Sequence, residues 1–153
     1  MRVWRIIPKL HLSQVIDGEG ARQFGGRWNQ LGTRVVYTSA TLSLAALEFL
    51  VNLDRDTEPD QLVAISADFP DDMHVEHIEV SNLPKKWRSY PVPEELQDLG
   101  TAWVASASTA VLVVPSAVIP DERNYLLNPA HPDFKRFRFN KPEVFRFDSR
   151  MWK

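Results

Sequence analysis

Three side chains able to do chemistry stand at short intervals early in the chain. They are Arg27 in the run Gly25-Gly26-Arg27-Trp28-Asn29, Tyr37 ten residues on, and Glu48 eleven beyond that. Paired glycines let a backbone approach a ligand closely and turn where a Cβ would object. The planar guanidinium fork of arginine matches phosphate oxygens. A phenol ring can stack a flat group, and a carboxylate can face a developing positive charge. Together these groups suit a phosphorylated substrate that carries an aromatic base. Ser116, after Pro115 at the end of an apolar run, is a further polar candidate.

Each residue also has a plainer reading. Arg27 could be a surface arginine in a hairpin, Tyr37 a core residue of its strand, and Ser116 a strand terminator. Glu48 lies on the polar stripe Thr41, Glu48, Asn52, Arg55 of an otherwise apolar helix, and that stripe could simply face water. Spacing alone leaves these alternatives open.

The elements that must carry these groups follow from periodicity and punctuation. Residues 2–7 alternate as a first strand, and the polar, Gly-punctuated stretch 11–26 reads as a loop. A β-branched and aromatic strand is expected at 34–38, after turn residues 29–32. A helix follows to about residue 53, capped by Ser39 or Thr41. Leu42, Ala45, Ala46, Phe49 and Leu50 follow helical spacing there; Leu44, Leu47 and Val51 widen the apolar surface, so much of this helix should be buried. Residues 54–60 read as a charged loop, and 61–69 and 73–80 as strands. After an irregular, proline-rich connection at 84–93, Pro93 with Glu94 and Glu95 opens a second helix running through Trp103, weakened by Gly100. The run 109–114 is the best candidate for a central strand. Short strands follow at 124–128, 137–139 and 144–147, the last two as an edge or hairpin. About seven strands with two inserted helices make an α+β domain with antiparallel sheets, and the fingerprint of a doubly wound dinucleotide fold is missing.

Composition narrows the function. The chain has 153 residues, enough for one domain spanning 1–153 with a real core. With a net charge of −2 it offers no global basic field, so an anionic ligand must be held by a few local arginines. Cysteine is absent, which removes thiol nucleophiles and thiolate metal sites and fits a reducing cytoplasm. No apolar window is long enough for a membrane span, so a soluble cytoplasmic protein is expected. The four histidines show no metal-ligand spacing, and no metal is expected. Ser116 lacks the setting of a hydrolase nucleophile. Phe137, Phe139, Phe145 and Phe147, interleaved with Lys135, Arg136, Arg138 and Arg146, could stack single-stranded nucleic acid, though a sheet with one buried face is the commoner cause.

Read in order, several segments resemble the RES domain, the toxin half of a bacterial toxin–antitoxin pair, named for an arginine, a glutamate and a serine. They are Gly-Gly-Arg-Trp-Asn at 25–29, Val-Val-Tyr-Thr-Ser at 35–39, Ala-Ala-Leu-Glu at 45–48, Val-Pro-Ser-Ala-Val-Ile-Pro at 114–120, Asn-Tyr-Leu-Leu-Asn-Pro-Ala-His-Pro-Asp-Phe at 124–134, and Phe-Asp-Ser-Arg at 147–150. Asn52 departs from the family pattern, which often has histidine there, but it lies outside the naming triad. The resemblance implies a fold like the ADP-ribosyltransferases and cleavage of the nicotinamide–ribose bond of NAD⁺, either depleting it or modifying a protein. It assigns Arg27, Glu48 and Ser116 as the triad and Tyr37 as the family's tyrosine, with Arg5, Gly26 and Asn29 as further contacts to the nucleotide. NAD⁺ would be substrate, with no prosthetic group. The implied partner is an Xre-like helix-turn-helix antitoxin, to which any DNA contact would belong; self-association is left open.

Overall fold

The computed structural model describes residues 1–53, 59 and 61–152. Its frame is an eight-stranded sheet: β1 (Arg2–Pro8), β2 (Val36–Ser39), β3 (Leu62–Asp68), β4 (Glu76–His77), β5 (Val111–Pro115), β6 (Arg123–Leu127), β7 (Arg138–Phe139) and β8 (Glu143–Phe145). The spatial order is β4-β5-β6-β2-β1-β3-β7, with β8 also paired to β3. Every pairing is antiparallel except β4 with β5. Among the described residues three α-helices are inserted: α1 (Glu19–Phe24), α2 (Leu42–Val51) and α3 (Glu94–Ser106). The α+β reading with antiparallel sheets therefore holds. Among the described residues no helix is long and apolar enough to cross a membrane.

Both faces of the sheet centre are covered. Along β5, Val111 and Val113 join Val3, Val36 and Leu127 on one side, while Leu112 and Val114 join Trp28, Leu96, Trp103 and Leu126 on the other. This explains the unbroken apolar run at 109–114. It does not put β5 at the centre, because only the two-residue β4 lies beyond it. An apolar run reports burial on two faces, which helix α3 and the loops provide, and not rank in the strand order.

Other expectations are corrected. The stretch 11–26, expected as a loop, contains most of a 3₁₀ turn at Lys9–Gln14 and the whole of α1. The strand expected at 73–80 shrinks to Glu76–His77, the only stretch that finds a ladder partner on β5. Helix α2 ends at Val51, with Thr41 as its cap accepting from the Leu44 N–H at 3.1 Å. Only Leu44 and Ala45 of α2 are fully buried, and Leu47 and Val51 are exposed, because the helix rests on one side of β1 with the other side in water. Arg55 and most of the charged loop 54–60 lie outside the described residues.

Gly100 has a reason that outweighs its low helix propensity. A Cβ there would sit 1.8 Å from the Trp28 carbonyl oxygen. Glycine lets α3 lie directly on the backbone that bears Arg27.

Candidate active site

Helix α2 presents Glu48 three and four residues after its buried anchors Ala45 and Leu44, so the carboxylate emerges beside the packed face and not opposite it. It meets the strand ends of β2, β5 and β6, where register places Ser39 opposite Asn124 and Asn124 opposite Val114. Glu48 Oε1 accepts two short hydrogen bonds, from Ser116 Oγ at 2.6 Å and from Asn124 Nδ2 at 2.6 Å.

The direction of these bonds is set by their surroundings. Ser116 is fully buried, and its Oγ accepts the N–H groups of Val118 and Ile119, each at 3.0 Å. With its lone pairs so occupied, the hydroxyl proton is left for Glu48. A carboxylate only accepts, so the Asn124 amide must turn its nitrogen to Glu48, and its Oδ1 takes the Ser39 hydroxyl at 2.8 Å. Glu48 Oε2 has no partner among the described residues, while every buried side-chain polar atom described has one. Oε2 must therefore face solvent. The result is a carboxylate locked on one oxygen and open on the other.

The arginine is placed by a tight turn. Gly25 takes a left-handed φ of 69° to end α1, and Gly26 N–H bonds the Asn29 carbonyl at 3.1 Å. Trp28 is buried beneath α3, so its neighbour Arg27 projects the other way, half-exposed. Arg27 Nη1 donates to the carbonyls of Trp87 at 2.7 Å and Ser89 at 3.3 Å. Burial lowers the pKa of the guanidinium from its ordinary value; the negative charge of Glu48 opposes that shift and nearby Arg88 adds to it. Arg27 and Glu48 are thus near enough to sense each other without forming an ion pair.

Tyr37 props this turn. Its hydroxyl accepts the Trp28 N–H at 3.1 Å and donates to Asn29 Oδ1 at 2.6 Å. Burial pushes its pKa well above the usual phenol value, so it stays a neutral donor. Gly26 is required here because a Cβ would fall 2.6 Å from the Tyr37 hydroxyl.

Arg27, Tyr37, Glu48 and Ser116 are thus gathered at one end of the sheet. The other three expected contacts are placed differently, two within the turn and one on the far face of the sheet. Asn29 is wholly buried, its amide donating to the carbonyls of Ala21, Gln30 and Thr33 while its oxygen holds Tyr37. Gly26 has its N–H on Asn29 and its carbonyl on Gln97 Nε2 at 3.0 Å. Both residues build the turn. Arg5 belongs to the opposite face of the sheet, near Val36, Thr38 and Ile65, where Nη1 donates to the Val15 carbonyl at 2.9 Å. Burial pulls its pKa down to about 10, against the pull of Asp17. Alternation along β1 makes the reason plain: Trp4 and Ile6 pack toward α2, so Arg5 points away.

Asn124 and Ser39 are the site residues that sequence reasoning missed. Both are polar residues at a strand end, which reads as a simple stop; only cross-strand register joins them to Glu48. A groove of about 990 Å³ lies elsewhere, beside β8, lined by Lys9, Lys141, Phe145 and Trp152 among others, and includes none of the four gathered residues. Among the described residues no cluster of three or more acidic or histidine side chains could hold a metal.

Comparison with known proteins identifies the family. A family model described as the RES domain matches residues 2–148. A protein named Toxin Res from Yersinia enterocolitica is 34% identical over 152 residues, covering 99% of each chain. A Prs ADP-ribosylating toxin from a Sphingobium species is 36% identical over 152 residues, covering 97% of this chain and 94% of its own. The fold is also similar to a chain in the crystal structure of the M. tuberculosis MbcT-MbcA toxin-antitoxin complex, with a TM-score of 0.72 over 94% of this chain and 83% of that one at 15% identity. With a whole-length family match and relatives above 30% identity end to end, this chain belongs to the RES domain family.

Proposed function

We propose that the protein is the toxin of a toxin–antitoxin pair and cleaves the nicotinamide–ribose bond of NAD⁺. The observation that carries this reading is Glu48, held on Oε1 by Ser116 and Asn124 and open on Oε2, with the Arg27 guanidinium close by. Nicotinamide in NAD⁺ is already a cationic leaving group, so its departure needs no proton donor and one carboxylate suffices where glycosidases use two. The glycosidic C–N bond breaks with its electron pair going to the nicotinamide nitrogen, which becomes neutral. Positive charge then rises on the ribose, and Oε2 of Glu48 faces it while hydrogen-bonding a ribose hydroxyl. Because Oε1 is fixed beforehand, no reorganisation is needed as that charge develops. Ser116 acts by positioning Glu48. Arg27 holds a phosphate, and the half-buried Tyr37 ring offers a surface to the nicotinamide. An acceptor nucleophile completes the exchange and loses its proton to solvent.

The acceptor divides two versions of this activity. Water or phosphate would make the protein deplete NAD⁺. A side chain would make it an ADP-ribosyltransferase, a version favoured by the 36% identical relative named for ADP-ribosylation. The partner in either case is an antitoxin of the Xre-like helix-turn-helix type that covers the cleft between Arg27 and Glu48. The similarity to a chain solved in a toxin–antitoxin complex supports an antitoxin as partner. The protein would act in the cytoplasm with NAD⁺ as substrate and no prosthetic group.

Purified protein incubated with NAD⁺, with and without phosphate, and in parallel with cell extract and adenine-labelled NAD⁺, separates these outcomes. Release of free nicotinamide is expected in at least one arm, and label fixed on protein would identify the transferase version. No nicotinamide in any arm would overturn the reading.

A further inference from the structure

We infer that Arg88 is a second phosphate-binding residue, and that Arg27 and Arg88 form a two-arginine clamp selecting dinucleotides over mononucleotides. This rests on the NAD⁺ reading above.

The loop between Leu83 and α3 carries Arg88, and two contacts draw it onto the site. The carbonyls that hold Arg27 Nη1 belong to Trp87 and Ser89, the residues on either side of Arg88. Arg88 in turn donates Nε to the Ala117 carbonyl at 2.8 Å, next to the serine that fixes Glu48. One arginine therefore grips the backbone around the other, and the second is latched beside Ser116. Both guanidiniums are thereby tied to the 87–89 segment and to Ala117, the residue after the serine that holds Glu48.

What sets this pair apart is that two arginines without a carboxylate partner stand together, each tied to the backbone beside the other or beside Ser116. Seven other described arginines meet carboxylates, among them Arg2 with Asp68, Arg22 and Arg34 with Glu19, and Arg136 with Asp72, while Arg5 and Arg146, which also lack one, lie away from this site. Among the described residues no carboxylate oxygen comes within 4.0 Å of Arg27 or Arg88; both bond only to neutral carbonyls. Their mutual repulsion registers at Arg27. Holding two uncompensated cations together is unfavourable unless an anion joins them. Glu48 supplies a single charge and no ion pair. A pyrophosphate supplies two negative groups on adjacent centres, and each guanidinium keeps N–H donors that no described residue uses. A single phosphate needs only one of the two forks. Arg88 is exposed and held only through Nε, so its terminal nitrogens stay open to a ligand, whereas Arg27 is fixed in its turn.

The test compares wild type with Arg88→Gln and Arg88→Lys, using Arg146→Gln as an exposed arginine remote from the site. For NAD⁺, Arg88→Gln should raise KM about ten- to hundredfold with kcat within about twofold, as expected for loss of a charged contact made equally in ground and transition states. For nicotinamide mononucleotide the change should stay within about threefold. Arg88→Lys should recover part of the loss, and Arg146→Gln should match wild type. Calorimetry supplies a readout independent of turnover: ADP should bind Arg88→Gln more weakly by the same factor, and ribose 5-phosphate equally. If Arg88 merely braced Ser116, kcat would fall for both substrates alike, and that result would overturn the clamp. Equal losses in KM for both substrates, or none, would also overturn it. If ADP binding responds as stated but no variant or wild type releases nicotinamide, the clamp stands and the reaction reading falls. Turnover with no change in ADP binding would do the reverse, removing the clamp and leaving the reaction in place.

Discussion

Two parts of this protein are rich in arginine and aromatic side chains, and the fold treats them in opposite ways. In the C-terminal part, Arg136 meets Asp72 at 2.9 Å, Arg138 meets Asp68 at 3.2 Å and Arg150 meets Asp148 at 2.8 Å. Its rings pack on one another: Phe134, Phe137 and Phe139 form one tilted group against the core, and Phe145, Phe147 and Trp152 form another. Around Arg27 and Arg88 the tryptophans 28 and 87 are likewise buried, but the arginines contact only carbonyls. The first arrangement pairs three of its arginines with carboxylates and packs most of its rings on one another, which counts against stacking of single-stranded nucleic acid there. The second keeps its cations for an anion from outside. An arginine's availability thus depends on carboxylates that the chain brings from far away; Asp68 and Arg138 are 70 residues apart.

The sharpest way to break this contrast is at Glu48. Glu48→Gln is nearly isosteric, but its amide lacks the charge that faces the ribose. NAD⁺ turnover should fall by two to three orders of magnitude, about 3–4 kcal/mol, with the thermal melt little changed. Arg138→Gln, in the other region, should leave turnover at the wild-type level. Assaying nicotinamide release from both variants decides the point, and near-normal activity in Glu48→Gln would remove the carboxylate from the mechanism.

Next in size is Gly100→Ala, which probes the floor under Arg27. By propensity alone alanine should stabilise α3 by up to about 1 kcal/mol. Because its Cβ would stand 1.8 Å from the Trp28 carbonyl, helix and turn must separate instead, and we expect a net loss of about 3 kcal/mol in denaturant unfolding. A more stable variant would show that the turn yields easily, and that α3 does not fix the position of Arg27.

Arg27→Lys compares the two kinds of arginine directly. Lysine keeps the charge but cannot span two carbonyls and a phosphate with one planar group. The expected cost in kcat/KM is about 2 kcal/mol, or roughly thirtyfold. Arg138→Lys should cost almost nothing, since a surface ion pair tolerates the exchange. Equal steady-state constants for both variants would place Arg27 outside the substrate site.

Much of the site is legible in the sequence, and the gaps have physical causes. Glu48 stands out as the sole acid of a helix with an apolar periodicity, and Ser116 as a polar residue ending an apolar strand. Asn124 and Ser39 do not stand out, because the register that joins β2 to β6 across 85 residues leaves no local mark. Arg5 is a candidate only by resemblance, and the period of two in β1 already turns it away from the side of Trp4 and Ile6. Helix α1 is hidden by glycines 18, 20 and 25; the Glu19–Arg22 and Glu19–Gln23 spacings are its only local signals.

Glu19 also explains why Arg27 remains free, and it gives the smallest expected effect. It is the acid nearest to Arg27 in sequence, but its carboxylate is engaged by Arg22 at 2.6 Å and by Arg34 at 2.8 Å, which ties α1 to the approach to β2. The Arg22 hydrogen bond, aided by Gln23 and the charge of Arg34, lowers the Glu19 pKa from 4.5 to about 2. A depressed carboxylate stabilises the fold fully above its unfolded pKa and ceases to do so as pH falls through its folded one. The Tm difference between wild type and Glu19→Gln should therefore be constant above about pH 5 and close as pH drops from about 4.5 toward 2. Turnover near neutral pH should change little, because Arg22 and Arg34 remain too far committed to their own segments to compete for the phosphate. A gap that widened on acidification would show that Glu19 is not held ionised by these arginines, and the cause of an uncompensated Arg27 would then lie in the turn alone.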